Sequence, residues 1–357
     1  MGFNMENLDN TFVDENGTIL HEHHRFNVDP KQSSIRIDKY IFGKLEKVTR
    51  TRIQRAIKSN AVLVNGKKIK SNYKVRPNDL ILIVLPEEPR EKKYAEPEDI
   101  PLDIRYEDEH VIVLHKPAGM VVHPGSGNYS GTLVNGLSFY LQNLKQLPTL
   151  PGNDLSRPGL VHRIDKDTTG LMVIAKTHSA MTHLAQQFFD HKIHREYVAL
   201  VWGNFDEEKG VMEGHIGRDI RSRIKMAVYP DGDIGKHAIT HYEVLEDLYY
   251  VSLIKCILET GRTHQIRVHM AHKNHPIFSD ERYGGSTIVK GTVFSKYKQF
   301  VHNIFKLCPR QALHAHSLGF VHPESGEMMR FESELPDDMQ QVLDKWRHYV
   351  TYQKSRV

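Results

Sequence analysis

The sequence predicts an α+β chain in two parts: a small basic module of two helices and a hairpin, then a larger strand-rich domain with helices packed on it. Three observations carry this expectation. The length, 357 residues, suggests two domains or one large domain with additions. The charge is uneven: Arg36 to Leu80 holds thirteen Lys and Arg against Asp38, Glu46 and Asp79, a net of +10, which leaves −6 for the rest of a chain that totals +4. Finally, Pro86 to Ile100, PEEPREKKYAEPEDI, is rich in Pro and charge and poor in apolar groups, as linkers are.

Residues 1–32 show no periodicity and are expected to form a flexible tail. Ile35, Ile37, Tyr40, Ile41 and Leu45 then fit helical spacing. Thr49 is placed to cap a second helix, with Ile53 and Ile57 inside and Arg50, Arg52 and Arg55 outside. Ala61 to Val64 reads as a strand, Asn65-Gly66 as a two-residue hairpin turn leading to Lys67 and Lys68, and Leu80 to Leu85 as another strand. Cations on the face opposite the core suit phosphate contacts, so Arg50, Arg52, Arg55, Lys67 and Lys68 are candidates for holding a nucleic-acid backbone.

In the larger part, Val111 to Leu114 is a strand, Lys116 to Gly119 a turn, and Met120 to Val122 the start of a further strand. Residues 141 to 156 are rich in loop formers. Next comes RPGLVHRIDKDTTGLMVIAK from Arg157, where a polar knot from His162 to Thr169 is closed by Gly170 and feeds the apolar strand Leu171 to Ala175. Met181, Leu184, Ala185, Phe188 and Phe189 mark one face of a helix over Ser179 to His191. Arg195 to Trp202 reads as a strand, and hairpins follow with a basic patch at Arg218, Arg221, Arg223 and Lys225. Thr263 is expected to cap a helix reaching His272, with Ile266 and Met270 inward and Arg267 in the same region. A buried Arg needs an acid beside it. Leu335-Pro336-Asp337-Asp338 opens a C-terminal helix anchored by Trp346.

Composition narrows the function. Hydrophobic residues make up 39% and mean hydropathy is −0.49, with no apolar run near the roughly 18 residues of a membrane span. There is no signal-peptide pattern, and two cysteines, Cys256 and Cys308, cannot make a disulfide framework, so a reducing, cytoplasmic setting is expected. The histidines 264, 269, 272 and 275 lack the spacing and neighbouring acid of a metal helix.

On composition the polar knot is a solvated turn. Its string, HRIDKDTTG, says more: it resembles the signature loop of the RluA family of RNA pseudouridine synthases. Further strings resemble that family's motifs in order: VIVLHKPAGMVVHPGSGNYSGTLVNGL from Val111, REYVAL from Arg195, TGRTHQIRVH from Thr260, and QALHAHSLGF from Gln311. In the basic module, RIDKYI, TRTRIQRAI, AVLVNGKKIK and YKVRPNDLI are similar to the S4 RNA-binding domain. The resemblance runs from Ile35 to about Trp346 and is nearest to members that carry an S4 domain and modify large-subunit ribosomal RNA, the RluD type.

The resemblance implies an S4-like domain over 33–86, a linker over 87–100, and a synthase domain over 101–350 with a mixed, largely antiparallel sheet flanked by helices. It implies that Asp165 is catalytic, that Arg267 pairs with it, that Tyr197 lies against the target base, and that Arg163 fills the gap left by the flipped nucleotide. Asp167 would shape the loop, Lys116 would be architectural, and Leu313 would stand near the site. The implied reaction turns uridine into its C-linked isomer with no cofactor and no metal. The implied partner is large-subunit (23S) ribosomal RNA or a pre-ribosomal particle, met by a monomer. Alternatives are a synthase acting on transfer RNA or another RNA, a non-catalytic RNA-binding factor for ribosome assembly, and a hydrolase using Asp165 and Asp167 as paired carboxylates.

Overall fold

The computed structural model describes residues 11–13, 19–45, 48–85, 95–125, 127–141, 147–149, 157–222 and 224–355. The chain divides into two compact units, Met1–Lys92 and Lys93–Val357.

The first unit runs β1 (Thr11–Val13), β2 (Ile19–Asn27), α1 (Ile37–Lys44), α2 (Arg50–Lys58), β3 (Val62–Val64), β4 (Lys67–Lys68) and β5 (Leu80–Leu85), with sheet order β1-β2-β5-β3-β4. The Thr49 hydroxyl accepts from the Arg52 amide at 3.3 Å, as its type predicts. Asn65 and Gly66 both take positive φ, which lets β3 turn directly into β4. Ile37, Ile41, Ile53 and Ile57 pack on Val62, Val64, Ile81 and Ile83.

Two expectations fail at this unit's boundaries. Part of the tail over 1–32 is strand: β2 pairs antiparallel with β5 from His21↔Leu85 to Asn27↔Leu80. Its sequence, ILHEHHRFN, is mostly polar, so its apolar signal is faint. The cause lies in its neighbour. LILIVL of β5 is apolar on both faces, and Phe12 and Leu20 join Leu63, Leu82 and Val84 in covering the face away from the helices. The linker also ends early. Residues 86–94 lie outside those described, while Ala95 is buried in the larger unit's core, the Glu96 carbonyl accepts from Asn135 Nδ2 at 2.8 Å, and the Glu98 carboxylate accepts from the Gly131 amide.

The second unit contains β6 (Asp103–Glu107), β7 (Val111–Lys116), α3 (Leu133–Tyr140), β8 (Thr169–Ala175), α4 (His178–Phe189), β9 (His194–Trp202), β10 (Lys209–Arg218), β11 (Met226–Tyr229), β12 (Lys236–Asp247), β13 (Val251–Leu258), α5 (Gln265–His272), α6 (Ser295–Leu307), β14 (Leu313–Val321), β15 (Met328–Glu332) and α7 (Asp337–Lys354). One ten-stranded sheet has the order β11-β10-β12-β13-β9-β14-β8-β7-β6, with β15 on β14. Among the described residues only β8 and β14 pair in parallel, so the sheet is mixed and mostly antiparallel. Trp202, Phe278 and Trp346 are central to a core between sheet and helices. Met120 to Val122 do not start a strand. The Val121 and Val122 carbonyls instead accept from the Leu133 and Val134 amides at the head of α3. Phe189 does not share the inner face of α4: it is 78% exposed, at the helix's last residue.

Candidate active site

The knot that precedes β8 is held by its carbonyls. Buried Lys116, at the end of β7, donates from Nζ to the carbonyls of Pro117, Met120 and Lys166 at 2.6, 2.9 and 2.9 Å. Three acceptors match the three protons of an ammonium, although burial pushes its pKa down to about 7. Arg310 Nη1 donates to the Asp167 carbonyl at 3.0 Å while its other nitrogens fork onto Asp338. His162 accepts from the Val173 amide at 3.0 Å and stacks on Phe188, and burial keeps the ring neutral with a pKa of about 3. Gly170 has φ +117, and a Cβ there would stand 2.2 Å from the Ala315 carbonyl oxygen. Only glycine lets β8 enter beside β14 at this point. The knot is therefore no solvated turn: cations and a glycine crossing fix its path.

Asp165 projects from this loop into a cleft of about 620 Å³. Its side chain is 17% exposed, and Oδ2 accepts from Arg267 Nη1 at 2.8 Å. Arg267, 7% exposed, comes from α5, more than a hundred residues along the chain. A buried guanidinium with a single acid would be poorly compensated, and Arg267 has two. Its Nε and Nη2 fork onto Asp280 at 2.7 and 3.0 Å, and Tyr283 lies under its plane at 5.1 Å. Asp280 is held by the amides of Arg282 and Tyr283. The bland expectation for Arg267, a structural salt bridge, and the specific one, a partner for Asp165, are both realised in one side chain.

Thr263 does not cap α5. His264 occupies that position with φ 57, and the side chain of Gln265 ties the helix start by accepting from Thr260 Oγ1 and the Arg262 amide. A non-glycine residue at positive φ is strained. Here the strain directs the His264 ring at the site: Nδ1 meets the Tyr283 hydroxyl at 2.7 Å and Nε2 stands 3.9 Å from Asp165 Oδ1. Burial lowers its pKa to about 4, so the imidazole is neutral near pH 7.

The structure brings Asp165, Arg163, Tyr197 and Arg267 to one cleft, with Leu313, Phe188 and Phe189 also on its wall. Tyr197, from β9, is buried, and burial raises its pKa, which keeps the phenol neutral. Arg163 is exposed and makes no hydrogen bond to the described residues. Asp167 does not line the cleft. In the other unit, Arg50, Arg52 and Arg55 lie exposed on α2, and Lys67 and Lys68 lie exposed on β4. Arg50 is partly committed, since its Nη2 donates to Asp38 at 2.8 Å. The four histidines do not converge: His264 turns to Tyr283, His269 to Thr240 Oγ1 and His275 to the Trp202 carbonyl. Among the described residues no group of three or more His, Cys, Asp or Glu is placed to hold a metal ion, and no helix is long and apolar enough to cross a membrane.

Comparison with known proteins agrees with this geometry. Residues 110–272 match the family described as RNA pseudouridylate synthase, and residues 35–81 match the S4 domain. An uncharacterized RNA pseudouridine synthase of Chlorobaculum parvum is 46% identical over 325 residues, covering 91% of this chain and 98% of that protein. The chain belongs to the RNA pseudouridine synthase family. Ribosomal large subunit pseudouridine synthase D of Zymomonas mobilis is 42% identical, covering 85% of this chain and 92% of its own. Human RNA pseudouridylate synthase domain containing 4 has the same fold, with a TM-score of 0.52 at 24% identity over 69% of this chain and 93% of that one.

This synthase is thus an isomerase whose substrate is a uridine in RNA, with an S4 domain ahead of its catalytic domain. Sequence reasoning missed three of its features. Asp280 was legible only as the acid that a buried Arg267 demands. His264 was hidden because positive φ leaves no mark on a histidine. Arg310, as a clamp on the knot, depends on β14 arriving beside β8.

Proposed function

We propose that this synthase converts specific uridines of large-subunit (23S) ribosomal RNA to pseudouridine, acting as a cytoplasmic monomer. Asp165 is the reactive carboxylate, attacking the nucleoside or removing a proton from it. Arg267 holds it in place, Tyr197 lies against the base, and Arg163 fills the space left in the RNA stack. The neutral phenol of Tyr197 suits stacking better than proton removal. Arg50, Arg52, Arg55, Lys67 and Lys68 contact the RNA backbone, which supplies salt-sensitive affinity with little sequence information.

The observation that carries the reading is the 2.8 Å pairing of Asp165 with Arg267 at the wall of a cleft also lined by Tyr197. The ribosomal target draws on relatives such as the Zymomonas mobilis protein, named for the large ribosomal subunit. A paired-carboxylate hydrolase is disfavoured because Asp167 is not among the residues that line the cleft. The test is release of tritium to water from large-subunit ribosomal RNA carrying tritium at uridine C5, followed by mapping of the modified positions. Release from transfer RNA alone would replace the ribosomal target, and release of free uracil would mean hydrolysis.

A further inference from the structure

We propose that Arg195 is a further catalytic residue of this synthase, whose guanidinium receives the negative charge that passes to the uracil during the reaction. The proposal rests on the reading above, in which Asp165 reacts and Tyr197 holds the base.

Arg195 is 7% exposed and stands on β9 two residues before Tyr197, so both side chains leave the same face of the strand. Its Nη2 donates to the carbonyls of Leu258 and Glu259 at 3.3 and 3.1 Å, and the Phe188 ring lies 5.4 Å from the guanidinium carbon. Nε is sealed from solvent with no hydrogen-bond partner. Nη1 makes no hydrogen bond to the described residues and lies beside Gly261 on the wall of the cleft, where a Cβ would stand only 2.8 Å away. Among the described residues no carboxylate pairs with Arg195. The other buried arginines differ: Arg267 forks onto Asp280 and reaches Asp165, and Arg310 forks onto Asp338. An uncompensated buried guanidinium costs stability, and burial pulls its pKa down from the ordinary value. Such a cation in a substrate cleft points to a negative charge that arrives with the substrate or develops on it.

The reaction supplies that charge. If the Asp165 carboxylate attacks C1′, the new C–O bond forms as the C1′–N1 pair leaves with the uracil. If it removes the 2′ proton, the C2′–H pair becomes the C1′=C2′ bond and the N1 pair again leaves with the base. If it attacks C6, the C5=C6 pair moves toward O4. In each case one negative charge leaves Asp165 and appears on the uracil. It returns to Asp165 once the C5–C1′ bond has formed and the carboxylate is regenerated, and the loss of the C5 proton is matched by a proton gained at N1. Arg267 stabilises the charge where it starts, which by itself would oppose its departure. A cation on the receiving side favours the transition state over the ground state. Tyr197 lies within the electrostatic reach of both Arg195 and Asp165, so a base held against it is near both.

The experiment uses the full chain and C5-tritiated large-subunit ribosomal RNA, with transfer RNA as the second substrate. For Arg195→Gln and Arg195→Ala, RNA affinity is measured by filter binding and tritium release by single turnover at saturating enzyme. The expected result is unchanged affinity with a rate lowered about 100-fold. Added guanidinium should restore at least about tenfold to Arg195→Ala, while urea, of the same shape without charge, restores nothing. Weakened affinity with a full saturating rate would make Arg195 a phosphate contact and overturn the proposal. So would a loss that guanidinium does not restore, accompanied by a lower melting temperature, since that marks a strut for residues 258–261. Should both variants fail to fold, Arg195→Met decides, because it keeps most of the side chain's length without its charge. A lowered rate at unchanged affinity supports the proposal, and a wild-type rate overturns it. Asp165→Ala runs beside them, and activity in that variant would instead sink the reading of the site.

Discussion

The tetrapeptide Arg-Ile-Asp-Lys occurs twice in this chain, at 36–39 and at 163–166, with opposite fates. In the first copy Ile37 opens α1 and Asp38 is 0% exposed. Asp38 accepts a fork from its own neighbour Arg36 at 3.0 and 3.1 Å, and further bonds from Arg50 and Gln54 at 2.8 Å each. The acid is inside, and Arg36 and Arg50 are half exposed. In the second copy the ordering is reversed. The buried member is the cation, Arg267, already held by Asp280, and Asp165 meets it from the rim of a cleft. Its own Arg163 is left facing solvent. The first arrangement exhausts the carboxylate's acceptors inside a helix pair and makes it a fastener. The second leaves part of the carboxylate free and aimed at a substrate. What distinguishes a structural Asp from a reactive one is therefore which partner is buried and where that partner comes from.

The largest way to break the comparison is to remove each acid. Asp165→Asn should lower single-turnover pseudouridine formation by about 10⁴-fold, with the melting temperature nearly unchanged because Arg267 keeps Asp280. Arg267→Met strands two carboxylates, one of them fully buried, and should cost about 3–5 kcal/mol in urea unfolding as well as the activity. Arg267→Lys should recover part of the stability and little of the rate, since an ammonium cannot fork onto Asp280 and reach Asp165 together.

Asp38→Asn should leave the saturating rate intact and cost about 2 kcal/mol, read from denaturation of the small unit. The same acid sets a pH response. Burial alone would raise its pKa, but the bonds from Arg50, Gln54 and Arg36 outweigh burial and hold it well below the usual range. The folded value is thus under the unfolded one. Its contribution is complete above the unfolded carboxylate pKa of about 3.9 and is lost as pH falls below that value. Hydrogen exchange in α1 and α2 should quicken across that window and not above it.

The smallest effect separates the two arginines. Arg36→Ala should cost about 1 kcal/mol of stability, since Arg50 and Gln54 remain on Asp38. Arg163→Ala should change stability by less than about 0.5 kcal/mol and lower turnover instead. A turnover equal to wild type would remove Arg163 from the proposed site.

Local patterns made much of this readable. The periodicity of Ile53 and Ile57, the Thr49 cap, the Asn65-Gly66 turn and the apolar run after Gly170 act through near neighbours, and each forms the element it predicts. The motif strings also pointed to Asp165, Tyr197, Arg163 and Arg267, which share one cleft. The failures have a common origin. ILHEHHRFN becomes β2 only because β5 offers an apolar edge, and Ala95 and Glu98 leave the linker because α3 gives them partners.

The sequence by itself determined the two domains, their order, the local elements and the chemical kinds present at the site, because each depends on residues a few positions apart. Tertiary structure alone decided that Asp280 locks Arg267, that Lys116 and Arg310 clamp the knot, that His264 bends toward Asp165, and that Arg195 pairs with no acid among the described residues. Those are contacts between distant segments, and their energy depends on burial and on which partner is already taken, quantities that no local pattern records.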